Sequence, residues 1–198
     1  MLKLTALSPL LASPMLHDER SLVETARAGD GRAFRTLVEP HLRMLHRVAM
    51  RVCGDAALAE DVVQDTLVLC FQRLGDLREG STLRAFMAGI AAKRAHTMGR
   101  SERRRKYRED ASMAPVLPSD PSQDLQASRT AATIRAALLA MPEKRREAAL
   151  LRLDGGLSYR EIAEVLDSTE GSTRVLVHKA LAELRERLDA KNDKGTTI

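Results

Sequence analysis

The chain has 198 residues, enough for one ordinary domain or two small ones. Hydrophobic residues make up 44% of it, but there is no Trp and there are only two Tyr and three Phe. Its cores must therefore be built from aliphatic side chains and Met, which favours helices over sheets. The formal charge of +5 favours polyanionic partners without excluding any class of globular protein.

The two cysteines and the N-terminal segment give little sign of a metal site or of export. Cys53 and Cys70 lack the spacing of zinc ligands or of a disulfide framework, so we expect buried thiols in the reducing cytoplasm. Residues 1–16 hold two prolines and one basic residue, which predicts a disordered extension rather than a signal peptide. Translation from Met15 is a second interpretation. No run approaches the roughly 20 apolar residues of a membrane span, so we expect no membrane insertion.

Residues 17–109 form the first predicted module. Apolar residues recur at helical spacing, with breaks at 29–31, at Pro40, at 53–55 and around 75–80, which predicts four or five helices. Two stripes should face the core: Leu42, Leu45, Val48, Ala49 and Val52 in one helix, and Val63, Leu67, Cys70, Phe71 and Leu74 in another.

Two helices of this module carry unusual charge. The helix from about 56 to 74 presents an acidic and amide face opposite its core stripe, at Asp61, Gln64, Asp65 and Gln72; taken alone, such a face is usually only solvated. The next helix continues into residues 100–108, where six of nine residues are cationic, enough for several phosphate contacts. A nuclear localisation signal or a basic tail would look similar, but this run extends a patterned helix in mid-chain.

The second predicted module covers residues 129–190. It is preceded by residues 110–128, which contain three prolines and no apolar period and are interpreted as a flexible linker. Four short helices are predicted, with Pro142 in the first turn of the second helix and two glycines ending it. Residues 191–198 form a tail.

The last two helices have the pattern of a helix-turn-helix. Ser158 and Glu161 have capping-box spacing, and a turn at 167–170 leads into a longer helix. The apolar stripe of that helix is Val177, Ala180, Leu181, Leu184 and Leu188. Its outward side chains are Arg174, His178, Lys179 and Arg185, of the kind that bond guanine edges and phosphates in a major groove. A solvated basic helix face is the alternative interpretation.

This order of helices and motifs resembles that of the extracytoplasmic-function (ECF) sigma factors of the sigma-70 family over about residues 18–188. The motifs are LVETARAGDGRAFRTL, GDAALAEDVVQDTL, LREGSTLRAFMAGIA and MPEKRREAALLRLDGGLSYREIAEVL; the second and fourth, in this order, are specific. The resemblance implies an all-α fold, with a region 2 helical bundle in 17–109 and a region 4 helix-turn-helix domain of four helices in 129–190. It implies an alternative sigma factor that binds RNA polymerase core and directs promoter-specific initiation without catalysis or cofactors.

The resemblance also implies partners and roles for individual residues. Core polymerase, through its beta-prime and beta subunits, would be bound at Asp61, Gln64 and Asp65. The melted minus-ten element would be bound at Arg78, Ser81, Phe86, Lys93, Thr97, Arg100, Arg103 and Arg104, where the loop 78–82 holds a flipped base. The duplex minus-thirty-five element would be bound at Ser172, Arg174, Val175, His178 and Lys179. The linker would thread into the polymerase channel, and a dedicated anti-sigma protein would hold the chain inactive.

The minus-ten helix departs from the family pattern. Phe86, Lys93 and Thr97 stand where Trp, Asn and Asp are common, and Lys offers only donors where Asn offers a donor and an acceptor, so the minus-ten preference should differ. With Phe34 and Phe71 on core faces, only Phe86 and Tyr107 are left as stacking platforms. We therefore expect captured bases to be held mainly by a pocket and by phosphate contacts.

Two other classes of function fit the sequence less well. A helix-turn-helix regulator that acts without polymerase would have no use for the acidic face at Asp61. An enzyme would need a convergent set of nucleophile, base or metal ligands, whereas the five histidines are scattered and no glycine-rich phosphate loop is present. The sequence thus predicts no catalytic residue and no metal site.

Overall fold

The computed structural model describes residues 17–110 and 124–194, and over these residues the chain forms nine α-helices and no strand. The predicted N-terminal extension, most of the predicted linker and residues 195–198 of the predicted tail lie outside the described residues. The helices are α1 (His17–Arg27), α2 (Gly31–Val38), α3 (Leu42–Cys53), α4 (Ala56–Gln72), α5 (Leu83–Asp110), α6 (Asp124–Ala140), α7 (Glu143–Leu153), α8 (Tyr159–Val165) and α9 (Glu170–Lys194). Short 3-10 turns at Glu39–His41 and Leu74–Asp76 complete the regular structure.

Several helix ends are fixed by a polar capping side chain or by a glycine. The Asp30 carboxylate accepts hydrogen bonds from the backbone N–H groups of Arg32 (2.7 Å) and Ala33 (3.1 Å), which caps α2 after the predicted break. Gly54 ends α3 with φ +67°, a left-handed conformation that glycine adopts without strain. The predicted capping box at the start of α8 is confirmed, since Ser158 and Glu161 each bond the other's backbone N–H.

Helix α5 lies at the centre of the first module, between α3 and α4 on one side and the second module on the other. Its inner face is rich in small residues: beside the larger Leu83 and Met87, Ala85, Ala88, Ala91, Ala92 and Ala95 are each 2% exposed or less. Small side chains let neighbouring helix backbones approach closely, so α5 can pack against several helices at once.

The predicted core stripe of α4 is only partly correct: Cys70 and Leu74 are buried as predicted, but the rest of the buried face lies about one position earlier in the chain. The buried residues are Ala59, Val62, Thr66 and Cys70. Phe71 is 38% exposed, and Val63 and Leu67 only border the core. Thr66 can be buried because its hydroxyl donates to the Val62 carbonyl at 2.7 Å, which satisfies the only polar group of its side chain.

Three smaller details also differ from the prediction. Leu42, assigned to the α3 stripe, is 37% exposed at the first turn of its helix. Pro142 is the extended N-cap of α7 rather than a residue of its first turn. Helix α6 begins at Asp124, so the last part of the predicted linker is helical.

The two modules pack directly against each other. Buried residues of α3, α4 and α5 share hydrophobic clusters with residues of α6 to α9, among them Leu138, Leu150 and Ile162. The Asp154 carboxylate, 4% exposed, accepts from Arg51 Nε (3.0 Å) and Nη2 (2.8 Å) across this contact. The structure is thus one closed body, a feature that the periodic pattern did not predict.

Candidate nucleic-acid interface

A pocket of about 390 Å³ lies between α4, α5, the loop that precedes α5 and the end of α8. Five of the residues predicted to bind melted DNA line it: Arg78, Ser81, Phe86, Lys93 and Thr97. The first and last of these residues, Arg78 and Thr97, are 19 positions apart in sequence. The turn of the loop onto α5 brings all five together. The pocket thus joins an aromatic side chain, hydroxyls and four cations (Arg73, Arg78, Lys93 and Arg94) with two carboxylates, Asp76 and Glu164, in one concave surface. Cations and an aromatic ring beside hydroxyls suit a nucleotide.

The loop beside this pocket is held from both sides. Arg27 of α1 donates through Nε to the Leu74 carbonyl (3.2 Å) and through Nη2 to the Leu77 carbonyl (3.0 Å), which fixes its start. Gly80 adopts φ +86°, and the Thr82 hydroxyl then accepts from the Ala85 N–H (3.2 Å) to cap α5. The pocket wall is consequently built before any ligand arrives.

The basic run continues from the pocket along α5. Arg100 and Arg104 are exposed, as predicted for side chains that hold phosphates. Arg105 bonds Glu102 at 2.8 Å. Arg103 and Tyr107 lie on the helix, but their side chains fall outside those described, so their predicted roles stay predictions.

Only some of the predicted polymerase-binding side chains on the acidic face of α4 are without contacts to other helices. Asp61 and Gln64 are exposed, whereas Asp65 is half-buried and accepts two hydrogen bonds from the Arg94 guanidinium of α5, the one from Nε at 2.9 Å. Farther along the helix, Val68 is 55% exposed, and Phe71 packs edge-on against Phe34 with ring centroids 5.1 Å apart. This face therefore combines carboxylates with an apolar patch.

The outward face of α9 lies where the helix-turn-helix pattern predicts it. Ser172, Arg174, Val175, His178 and Lys179 are all exposed, while Val177 and Ala180 are fully buried beneath them. The turn before α9 contains Asp167 at φ +48°, a conformation that Asp tolerates better than most residues. The face is thus presented by a helix whose other side is fixed in the core.

Arg174 already has partners within the chain. Its Nη2 donates to Glu170 at 2.9 Å, and its guanidinium lies over the Tyr159 ring at 5.1 Å; Arg152 lies over the same ring at 4.8 Å. These contacts hold the side chain at the N-terminal end of α9, where a major-groove helix contacts bases.

Comparisons with known proteins agree with this geometry. Residues 37–105 match the family Sigma-70 region 2, and residues 131–184 match the family Sigma-70, region 4. The ECF RNA polymerase sigma factor EcfG of Rhodopseudomonas palustris is 31% identical over 153 residues, covering 76% of this chain and 83% of that protein. The chain belongs to the ECF sigma factors.

Other relatives extend the similarity of this sigma factor along most of its length. The RNA polymerase sigma-H factor of Pseudomonas aeruginosa is 29% identical over 181 residues, covering 86% of this chain and 92% of that protein. Among solved structures, CnrH in complex with the cytosolic domain of CnrY superposes with a TM-score of 0.65 at 25% identity, over 87% of this chain and 98% of that one. RpoE from Bartonella quintana, in complex with the anti-sigma factor NepR, superposes with a TM-score of 0.56 at 26% identity, over 79% and 96%.

The sequence did not predict that two carboxylates of α8 meet the loop 78–82, which was predicted to bind DNA. Glu161 of α8 accepts from the Thr82 hydroxyl at 2.9 Å, and Glu164 accepts from the Ser81 hydroxyl at 3.2 Å. Burial alone would raise the pKa of Glu161, but hydrogen bonds from Ser158 and Thr82 outweigh it and the pKa is lowered. Glu161 is therefore ionised at neutral pH.

Neither a metal site nor a membrane span is found in the part of the chain that the structure describes. Over residues 17–110 and 124–194 the His, Cys, Asp and Glu side chains form no cluster of three or more suited to a metal ion. No helix in these ranges is both long and apolar enough to cross a bilayer. Cys70 is fully buried, as predicted, and burial raises the pKa of its thiol to about 12; Cys53 is half-buried.

Proposed function

We propose that this alternative sigma factor, which binds RNA polymerase, divides promoter recognition among three surfaces. The pocket and basic track of α5 take the melted minus-ten element, the outward face of α9 reads the minus-thirty-five duplex, and the α4 face around Asp61 binds core polymerase. The observation that carries the proposal is the convergence of five predicted minus-ten residues on one pocket.

The minus-ten step consists of capturing a base that has left the stack. Unpairing and flipping a base costs a few kcal/mol, which the protein must offset without nucleotide hydrolysis. Phe86 is half-buried in the pocket wall, so it can offer part of its ring but not a free stacking face. Hydrogen bonds from Arg78 and, once it leaves Glu164, from Ser81 supply the remainder, together with phosphate contacts along α5 at Lys93 and Arg100.

The minus-thirty-five step uses both polar and apolar side chains of α9. Arg174 can pair in bidentate fashion with a guanine once it leaves Glu170, and the exposed Val175 can contact a thymine methyl group. Lys179 and His178 lie beside Arg174 and Val175 on the same helix face, where they can contact the DNA phosphates. Specificity in the duplex thus depends on a few residues at one end of the helix.

Binding to core polymerase would use the exposed Asp61 and Gln64 together with the apolar patch at Val68. Asp65 would contribute to this interface through the oxygen lone pairs that its ion pair with Arg94 leaves free. A polar rim around an apolar centre is the usual composition of a protein interface.

The test is run-off transcription with core polymerase on a genomic promoter library. Replacing Arg78, Lys93 and Arg100 together by Ala should abolish promoter-specific initiation while core binding persists. The matched control replaces Arg20, Arg32 and Arg35, three exposed arginines of α1 and α2, and removes the same charge. Equal loss in both triple variants would show that net charge, not the pocket, supports initiation.

A second variant separates a sigma factor from a regulator that acts alone. Asp61→Lys should lose co-purification with core polymerase while duplex binding by α9 persists. Retained co-purification would show that Asp61 is not part of the polymerase-binding surface.

We also propose that the protein works in the cytoplasm with its polymerase and that an anti-sigma protein binds it, since both of the solved relatives are bound to such partners.

A further inference from the structure

Two arginines lie over one tyrosine ring at the start of the helix-turn-helix. Tyr159 is the first residue of α8, and its side chain is half-buried against the hydrophobic core. The guanidinium carbons of Arg152 and Arg174 lie 4.8 Å and 5.1 Å from the centroid of its ring. Packing against the core accounts for the buried part of the ring. It does not account for two cations over the same ring, because like charges repel each other.

The position of the ring is fixed by the turn between α7 and α8. Arg152 Nη1 donates to the Leu157 carbonyl at 2.7 Å, which closes this turn. The capping box of Ser158 and Glu161 then fixes the backbone at the first turn of α8. The ring is therefore held by the core and by the turn, and its position does not depend on α9.

The Arg174 side chain reaches this ring from the other helix of the pair. The Thr169 hydroxyl caps α9 by accepting from the Ser172 N–H at 3.2 Å, which fixes the helix start just before Arg174. The Arg174 side chain is 63% exposed. An exposed arginine samples many rotamers, and ordering it on binding costs conformational entropy. Contacts with the Tyr159 ring and with Glu170 reduce this cost before DNA arrives.

These two contacts of Arg174 use different parts of the guanidinium. Glu170 accepts at 2.9 Å from Nη2, one of the edge groups that a guanine would need for bidentate pairing. An aromatic ring stacks on the face of the planar guanidinium and leaves the N–H groups of its edge available. Glu170 must therefore release Arg174 when DNA binds, whereas the Tyr159 ring can keep its contact.

We propose that Tyr159 is a positioning residue for base recognition by Arg174. Its ring orients the guanidinium toward the duplex and so sets the preference at the one base pair that Arg174 contacts. Tyr159 acts through Arg174 and makes no base contact of its own. Without the ring, Arg174 keeps its charge and its attraction to phosphates but loses a fixed direction, so base discrimination falls more than affinity. The proposal rests on the proposed minus-thirty-five role of α9.

The test measures base preference with the holoenzyme, the full chain assembled with core polymerase. The upstream duplex of a promoter recovered by run-off transcription is randomised, and the bound fraction is sequenced. The base pair that loses its preference in Arg174→Ala is the one that Arg174 contacts. Tyr159→Leu should lower the preference at this base pair by about two- to fivefold, the equivalent of a cation–π contact of about 0.5 to 1 kcal/mol. Preferences at the other positions should not change.

Further variants separate positioning from a structural role. Tyr159→Phe keeps the ring and should retain the wild-type preference, whereas Tyr159→Met, a second apolar replacement without a ring, should behave like Tyr159→Leu. Tyr159→Leu combined with Arg174→Ala should match Arg174→Ala alone, because the ring acts only through Arg174. Arg160→Ala, at the next and exposed position of α8, is the matched control and should leave every preference unchanged.

Three results would overturn the proposal. An equal loss of affinity for all sequences in Tyr159→Leu, with base preference unchanged, would leave Tyr159 only a structural role or a phosphate contact. Equal effects of Tyr159→Phe and Tyr159→Leu would assign the role to the hydroxyl group instead of the ring. If the wild-type holoenzyme prefers no upstream base at all, α9 does not read the duplex, and the proposed function of this surface fails together with the role of Tyr159.

Discussion

The Arg51–Asp154 ion pair offers a prediction whose size follows from burial. Arg51→Ala would leave the Asp154 carboxylate, 4% exposed, without its main partner, while Arg51 itself has a side chain that is 34% exposed. Removing one partner of a fully buried pair costs roughly 3 to 5 kcal/mol. Because water reaches Arg51, we discount this to about 2 kcal/mol, or a fall in Tm of about 4 to 8 °C for a chain of this size.

The opposite change should have a smaller effect. In Asp154→Asn the Arg51 side chain can still donate to the amide oxygen or turn toward solvent, so the loss should stay below about 1 kcal/mol. Thermal unfolding followed by far-UV circular dichroism compares these variants with Arg43→Ala, an exposed position on the same helix. If Arg51→Ala melts within about 1 °C of Arg43→Ala, or if Asp154→Asn is the more damaging change, the ion pair does not stabilise the closed body as argued.

Three further predictions concern the second module. Ser158→Ala removes the α8 capping box and should lower stability by about 1 kcal/mol in denaturant unfolding; an unchanged midpoint would contradict the role of the cap. Burial raises the pKa of Glu147, so its contribution to stability is present at low pH and is lost as pH rises from about 4.5 through the folded-state pKa. Glu147→Gln should therefore raise Tm at neutral pH and flatten its dependence on pH, which a thermal-melt series would show or disprove. Arg174→Ala should weaken binding to a cognate minus-thirty-five duplex and relax base preference, whereas Arg160→Ala, on the exposed side of α8, should alter neither in a binding assay with sequence variants.

Helix positions and outward faces could be predicted from the sequence because both depend on local chemistry. Asp30, Ser158 and the breaks at glycine follow from capping and turn preferences that need no distant partner. The α9 face was predicted correctly as exposed because its apolar stripe is strictly periodic. The α4 stripe was predicted only in part, because Ala59 and Thr66 are weak hydrophobic signals, although their small size and the internal hydrogen bond of Thr66 allow close packing.

The closed arrangement could not be predicted from periodicity. Ser81 and Glu164 are 83 residues apart, and Arg51 and Asp154 are 103 apart, so nothing in the local pattern pairs them. Each of these side chains also has an ordinary interpretation as a solvated surface residue. Gly89 and Gly99 both lie within the long helix α5, and only the position of Val165 distinguishes Gly89, where a Cβ would lie 2.7 Å from Val165 Cγ1.

The small-residue face of α5 indicates which positions of this helix tolerate substitution and which do not. Enlarging Ala88 or Ala91, both fully buried, would force helices apart, so that side of α5 tolerates little variation. Lys93, Thr97 and Arg100 point away from it and are exposed, so they can be exchanged with little effect on folding. If these outward positions contact the minus-ten element as proposed, new promoter preferences can be introduced there by evolution or by design, and a library restricted to them should retain the fold in most of its members.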